Sequence, residues 1–509
     1  MSKEEKYDRQ LRLWQSSGQS NLEHSRIVLV SPNLASLELM KNLILPGLGH
    51  FTILDSEENV ITEEDLSNNF YITEDQLGLS KAEVFASNLN ELNLDSTHEV
   101  VKIEGTVQDF LASDDLSDKF PWNSYDFIVA NWQFPSLIDL VQGLSNTSLI
   151  VVNSLSFFGT LRIFQKSYKF IETHSEKMLD LRLLNPWKEL TDYSDSIDLE
   201  ALDLQEHSQI PFLIIQLKAM EEYKRQHGGE LPKAYSDRKV YKAIIQGWKK
   251  SYDELNFDEA LTNSNKIFNP QKVPEDLQKI FDSLEGDFDA KDKYWLLVKA
   301  LKIFVDSNDG NLPLTGEIPD MDSTTENYMT LKGIYKDKFS KDLTNFEGHL
   351  QELNVNEIKF TTDEIVKFIK NSKYLYYSKL SSKLINNVDL FIEDFGSELS
   401  EFQSIILSFI MIENYYLQFN TIPSLTDINA LLNITKLFLN NKIQITETYE
   451  KVLYEILRVE GKELANISSI MGGIGAQELL KLITLQYKPL DDFLVFDGIR
   501  SVSERYKIK

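Results

Sequence analysis

Arg9 and Arg12 stand one helical turn apart in Tyr7-Asp8-Arg9-Gln10-Leu11-Arg12-Leu13-Trp14, and together they could hold a phosphate. A guanidinium presents a planar fork of N–H donors that matches phosphate oxygens two at a time. Tyr7, Leu11 and Trp14 recur at helical spacing and would face a core, leaving both arginines directed elsewhere. An ordinary docked helix with solvated arginines fits the same pattern. Asp55 is the next candidate. It closes the apolar run Phe51-Thr52-Ile53-Leu54, where a carboxylate can hydrogen-bond a ribose. A strand-end carboxylate exposed to solvent is the plainer alternative.

The turn that should complete a phosphate site lacks the residues for it. A nucleotide-binding α/β domain brings backbone N–H groups close to phosphate on a glycine-rich turn, after its first strand and at a helix N-terminus. Here Arg26-Ile27-Val28-Leu29-Val30 is followed by Ser31-Pro32-Asn33-Leu34-Ala35-Ser36. No glycine is present, and Pro32 has no N–H to donate. Phosphate binding is not expected at this turn. Gly472-Gly473-Ile474-Gly475 resembles a phosphate loop only superficially, and close helix packing is the favoured reading of its glycines. No His-Glu-x-x-His occurs, and the seven histidines do not cluster at metal-ligand spacing; His207 and His227 read as surface or capping residues. No cysteine occurs, which removes disulfides, thiolate metal sites and any thioester on this chain.

The elements that must position these residues fall into three stretches. Strands are expected at 26–30, 51–54, 100–103, 127–130 and 149–152. Leu37, Met40 and Ile44 mark a helix over 35–45, ended by Pro46-Gly47. Such alternation predicts an α/β fold with a doubly wound, mostly parallel sheet, Rossmann-like in plan. From about residue 170 strand signals thin out and amphipathic helical patterns dominate. Three of these, at 212–223, 294–305 and 405–417, each run into a turn and a Leu-Pro or Ile-Pro pair. Recurrent helix C-capping and a true duplication both fit. Near the C-terminus the glycines at 472–475 lead into a helix over 477–485, then a strand at 493–496 and a hairpin through Asp497-Gly498. The expected organisation is an α/β domain over 1–168, a large helical insertion over 169–460, and the rest of the α/β domain over 461–509.

With 509 residues and 42% hydrophobic content, the chain can build cores for two or three domains. It carries 79 acidic against 52 basic side chains, a net charge of −27. That surface repels phosphate backbones and anionic head groups, so neither nucleic acid nor a membrane is an expected partner; a basic protein surface is. The start Met-Ser-Lys-Glu-Glu-Lys has no apolar signal core, and no run of about 18 apolar residues exists to span a bilayer. A cytoplasmic or nuclear protein is expected.

In order along the chain, Tyr7 to Trp14, Lys41-Asn42-Leu43-Ile44-Leu45-Pro46-Gly47, Phe51 to Asp55, Asn68-Asn69-Phe70, Gly78-Leu79-Ser80-Lys81-Ala82 and Gly472 to Glu478 carry a family likeness. The chain resembles the ubiquitin-like-modifier activating family, which has the ThiF/MoeB-type adenylation fold of bacterial molybdopterin and thiamine synthesis. In the helical stretch, Asn256-Phe257-Asp258-Glu259-Ala260, Gly310-Asn311-Leu312-Pro313 and Ile318-Pro319-Asp320-Met321 look like the regulatory branch of that family, which serves a NEDD/Rub-type modifier. The helical insertion takes the place of the catalytic-cysteine domain.

The resemblance implies a heterodimer with the catalytic subunit of a neddylation activating enzyme. That partner would hold ATP and magnesium, adenylate the modifier's C-terminal glycine and carry it as a thioester. This chain would bind no cofactor and would be a pseudo-enzyme, with no catalytic residue in cis. The family's glycine-rich loop is replaced by Ser31 to Ser36. Its Asn-x-x-Arg becomes Ser67-Asn68-Asn69-Phe70, and its aspartate after the fourth strand becomes Gln133. Asp55 and Lys81 match its ribose and ATP contacts and stand as remnants. The arginine of the Tyr-Asp-Arg-Gln motif, here Arg9, would reach the partner's ATP in trans, with Arg12 the lesser candidate. Other readings are a self-sufficient adenylating enzyme, a Rossmann-type oxidoreductase, and a helical scaffold with a fossil α/β domain. The altered turn argues against the first two.

Overall fold

Apolar runs with few interruptions make strands that can be buried on both faces, and the α/β part of this chain is built from them. A computed structural model describes residues 3–113, 116–144, 147–165, 167–172, 179–232, 234–267, 273–354, 358–379, 398–490 and 493–506. It divides by packing into two units, Met1–Tyr168 with Tyr377–Lys509, and Lys169–Tyr376. Among the described residues the strands in chain order are β1 (Arg26–Val30), β2 (His50–Ser56), β3 (Thr97–Ile103), β4 (Phe127–Ala130), β5 (Ser148–Leu155), β6 (Phe158–Phe164), β7 (Ser167–Ile171), β8 (Leu375–Lys379), β9 (Phe493–Asp497) and β10 (Val502–Tyr506).

The first unit holds a sheet in the order β10-β9-β6-β5-β4-β1-β2-β3. From β3 to β5 every pairing is parallel; β6, β9 and β10 continue the sheet antiparallel. The chain lays β2 and β3 on one side of β1, then crosses over to lay β4 and β5 on the other. The carboxyl ends of β1 and β4 therefore flank the topological switch point, where ligands bind in open α/β sheets. Val28, Val30, Ile128, Leu149 and Val151 pack with Trp122 and Leu137 on one face. The alternate residues Ile27, Leu29 and Ile150 are equally buried and point to the opposite face. The Leu34–Ile44 and Ala465–Thr484 helices contact the sheet at β5 and cross each other.

Three expectations about the elements need correction. The glycines at 472–475 do not precede a helix; they lie inside one that begins at Ala465. At Gly472 an added Cβ would lie 2.7 Å from both the Ala35 carbonyl oxygen and the Leu39 nitrogen, and at Gly475 it would lie 2.7 Å from Leu39 Cδ1. Gly473 faces open space. Close packing is thus the reason for two of the three. Second, the helices Glu401–Phe419, Ile428–Phe438 and Glu447–Leu457 belong to the first unit rather than to one insertion over 169–460. Ile405, Ile406, Phe409 and Ile410 share a core with Leu155 and Phe158 of β5 and β6 and with Phe493 and Val495 of β9. Third, β6 was not anticipated; it is buried along its whole length.

The second unit is helical. Its core joins Phe212, Leu213, Met220, Tyr241, Phe257 and Tyr335. Asn256 donates to the carbonyls of His207 (2.9 Å) and Ile210 (3.0 Å), so the Asn-Phe-Asp-Glu-Ala segment is a packing motif here. His207 is not a surface residue. It is buried, stacks on Phe257 at 4.8 Å and shares a hydrogen bond with the buried Glu254. His227 does cap a helix, its Nδ1 lying 2.9 Å from the Tyr223 carbonyl. The Phe212–Gln226 helix of this unit, the Lys293–Ser307 helix of this unit and the Glu401–Phe419 helix of the first unit all end in left-handed residues: Gly228 (φ 64°) and Gly229 (90°), Asp309 (52°) and Gly310 (77°), and Asn420 (51°). Recurrent C-capping accounts for the sequence pattern. Among the described residues no helix is long and apolar enough to cross a membrane.

The two neighbouring glycines make a matched pair for a test. Gly472→Ala forces a methyl against backbone and should cost about 1–3 kcal/mol. Gly473→Ala meets nothing and should stabilise the helix by roughly 0.5–1 kcal/mol. Urea unfolding of the two variants should give opposite signs.

Candidate functional site

Asp8–His24 is read as one helix, yet Gln15 inside it has φ 61° and ψ 177°. The segment carrying Arg9 is therefore a short helical arm set off by a kink. Tyr7 anchors its base. The ring is buried, its hydroxyl accepts from Asn93 Nδ2 at 3.0 Å, and Asn93 also donates to the Ile44 carbonyl at 2.9 Å. Lys6 Nζ donates to Asn93 (2.6 Å) and Asp95 (2.7 Å). Gly47, with φ 111°, lets the ring lie flat on the chain: a Cβ there would come within 3.1 Å of Tyr7 Cζ. Trp14 anchors the other end, its indole N–H donating to Gln19 at 3.0 Å and its carbonyl accepting from Gln486 at 2.6 Å.

Between these anchors the two arginines differ. Arg12 is engaged with Asp8 through two contacts, Nη2 to Oδ2 at 2.9 Å and Nε to Oδ1 at 3.3 Å. Arg9 is exposed and makes no hydrogen bond or ion pair among the described residues. Its charge is available to whatever docks against the arm.

The second place of interest is the turn after β1, at the switch point. Asn131 Nδ2 donates to the Ser31 carbonyl at 3.2 Å, tying the ends of β4 and β1 together. Asn33 caps the Leu34–Ile44 helix, accepting from the Ser36 N–H at 2.9 Å. The helix N-terminus is filled by a carboxylate of the chain itself. Glu463 Oε2 accepts from the Leu34 N–H at 2.6 Å, and Oε1 from Asn33 Nδ2 at 3.0 Å. Asn68 of the former Asn-x-x-Arg motif donates to the Glu463 carbonyl at 2.7 Å. Burial, the largest influence, pushes the Glu463 carboxyl up to about 7 against the pull of the Leu34 and Ala35 N–H groups. Sequence reasoning missed Glu463, because no local pattern links it to a turn some 430 positions earlier.

The residues at this turn do not fit a nucleotide phosphate. Pro32 offers no donor, and the Leu34 N–H is taken. Asp55 is buried, not solvent-exposed; its Oδ1 accepts from Asn59 Nδ2 at 2.7 Å and the Ser56 N–H at 2.9 Å. Burial raises its pKa against those hydrogen bonds. Lys81 is held by Asp65 at 2.8 Å. Burial pushes the Asp65 carboxyl up, but Lys81 and Thr62 outweigh it and hold the group below its ordinary value. Asp55 and Lys81 are brought to one turn, since the Lys81 N–H donates to the Asn59 carbonyl at 2.9 Å. Gln133 stands after β4, its N–H given to Asn131 Oδ1 at 2.9 Å. Among the described residues no group of three or more His, Asp or Glu could hold a metal ion.

This architecture is that of a ThiF-type adenylation domain whose own nucleotide turn is filled, and residues 7–169 match the ThiF family. Over its whole length the chain is similar to a set of named proteins. The NEDD8-activating enzyme E1 regulatory subunit of Xenopus laevis is 30% identical over 99% of this chain and 99% of its own. Its counterpart in Drosophila melanogaster is 30% identical over 99% and 98%, and that of Danio rerio 28% identical over 100% and 99%. The chain belongs to the NEDD8-activating enzyme E1 regulatory subunit family.

The anchoring of the arm can be tested at Tyr7. Tyr7→Phe removes one partly buried hydroxyl network and should cost about 0.5–1.5 kcal/mol. Tyr7→Ala should cost roughly 3–5 kcal/mol by leaving a cavity, and should raise hydrogen exchange across residues 8–14 in particular. Equal exchange in the two variants would show that Tyr7 does not hold the arm.

Proposed function

We propose that this chain is the non-catalytic half of a two-chain enzyme that activates a NEDD/Rub-type modifier, and that Arg9 works in the active site of the other half. The observation that carries the reading is the contrast between the two sites of the first unit. Its own nucleotide turn is filled by Glu463, while Arg9, on an anchored arm, has a guanidinium without a partner among the described residues. ATP and magnesium would be held by the catalytic subunit. Charge develops on pyrophosphate as the modifier's carboxylate attacks the α-phosphorus, and a preorganised guanidinium stabilises that charge in a site shielded from water. Arg12, neutralised by Asp8, is less suited to the role.

The surface around the arm supports association. Leu13, Leu45, Leu94, Leu485 and Tyr487 are exposed despite their apolar bodies. The last four each neighbour a residue hydrogen-bonded to the arm's helix: Pro46 to Gln19 (3.0 Å), Asn93 to Tyr7 (3.0 Å) and Gln486 to Trp14 (2.6 Å). They are next in sequence to the contacts that fasten the Tyr7–His24 segment and supply exposed apolar surface of the kind an obligate interface needs, which commonly buries upwards of about 2,000 Å².

Two measurements test this. ATP–pyrophosphate exchange with modifier should stay at background for this chain alone and appear when the catalytic subunit is added; exchange by the chain alone would favour a self-sufficient adenylating enzyme. In the assembled heterodimer, Arg9→Ala should slow adenylate formation on the order of a hundredfold with assembly intact, while Arg12→Ala should leave the rate near that of the unaltered enzyme. An unchanged Arg9→Ala rate at both limiting and saturating ATP refutes the trans role.

A further inference from the structure

The first turn of a helix leaves backbone N–H groups without partners and carries a positive partial charge, which is why phosphates settle there. In this chain that end of the Leu34–Ile44 helix meets Glu463 instead. We propose that the Glu463 carboxyl takes the place of a nucleotide phosphate at this turn and clasps the two sequence-distant pieces of the α/β unit together.

Three contacts from two elements converge on this one residue. The helix end donates the Leu34 N–H to Oε2 at 2.6 Å. The capping residue Asn33 donates to Oε1 at 3.0 Å while its own Oδ1 caps Ser36. From a separate loop, Asn68 holds the Glu463 carbonyl at 2.7 Å. The contact is not a surface ion pair, because the neighbouring cations are committed elsewhere: Lys462 to Glu64 at 2.9 Å and Arg458 to Glu455 at 2.6 Å. The positive field that Glu463 meets is that of the helix end. Burial works against these hydrogen bonds and raises the carboxyl's pKa, so the contact rests on its geometry rather than on a strongly stabilised charge.

The position explains what the contact does. Glu463 lies two residues before the Ala465–Thr484 helix, which crosses the Leu34–Ile44 helix at Gly472 and Gly475. Gly472 fixes that crossing by close approach, and Glu463 fixes the starts of the two helices. An open phosphate turn would leave the second of these fastenings dependent on ligand. A carboxyl group in the chain makes this fastening independent of any bound ligand. This inference does not depend on the trans role of Arg9, and either can fail without the other.

The test is chemical rescue in the full-length chain, with inorganic phosphate as the probe against chloride of matched ionic strength. Wild type should show no phosphate-specific change in melting temperature. Glu463→Ala should melt roughly 2–6 °C lower, the size expected for a lost charged hydrogen-bond cluster, and phosphate should recover that loss saturably. Glu463→Gln fills the same space and should not respond to phosphate. No phosphate response in Glu463→Ala overturns the proposal, and so does an equal response in wild type or in Glu463→Gln. Should Glu463→Ala not accumulate as folded chain, its refolding yield from urea decides the matter: recovery in phosphate but not chloride supports the clasp, and equal yields overturn it.

Discussion

Two helices touch at backbone distance in the first unit, and the rest of that unit follows from the contact. The Leu34–Ile44 helix comes from the start of the chain and the Ala465–Thr484 helix from its end. With no Cβ at Gly472, the Ala35 carbonyl and the Leu39 nitrogen can lie where a methyl would otherwise sit. Helices packed this closely leave no room for a loop or a solvent layer between them, so their relative position is nearly invariant. Because both also lie on β5, the crossing sets how the N-terminal strands and the C-terminal hairpin share one sheet. The arm with Arg9 is in turn fastened to both pieces, through Asn93 and Pro46 on one side and Gln486 on the other.

Several of the motif residues are engaged in contacts within the chain. Lys81 pairs with Asp65, Asp55 organises its own turn through Asn59, and Asn68 holds the chain at Glu463. Each forms a contact that makes the loop rigid without a ligand. Arg9 alone among these motif residues is left without a partner among the described residues, on a surface rich in exposed aliphatic side chains.

Much of this could be read in the sequence, where the signal was local. The strands at 26–30, 127–130 and 493–496 are short unbroken apolar runs, and they fold as such. The hairpin through Asp497-Gly498 forms, and Ser31 to Asn33 leads into the Leu34–Ile44 helix with Asn33 as its cap. What failed was long-range. Phe158–Phe164 contains Gly159, Thr160 and Arg162, which break the apolar pattern. Only in the fold does Arg162 find its place, between the rings of Phe164 and Phe493 at 4.6 Å each and 3.6 Å from Glu413. The helices of 401–457 have the same amphipathic period as those of the second unit, so periodicity could not say which core they join. The burial of His207 was hidden for the same reason, since Glu254 and Phe257 reach it from another helix and its lead-in.

The sheet order also has a temporal meaning. β9 pairs with β6 on one side and β10 on the other, so β6 waits for its outer neighbour until residues near the end of the chain have been made. At a synthesis rate of about 5–20 residues per second, the roughly 330 residues between Phe164 and Phe493 take tens of seconds to emerge. Through that interval the buried apolar side chains of β6 have no β9 beside them, and for most of it the Glu401–Phe419 helix that packs on this region is also unmade. The nascent chain thus exposes an adhesive strand edge on the ribosome for most of its synthesis.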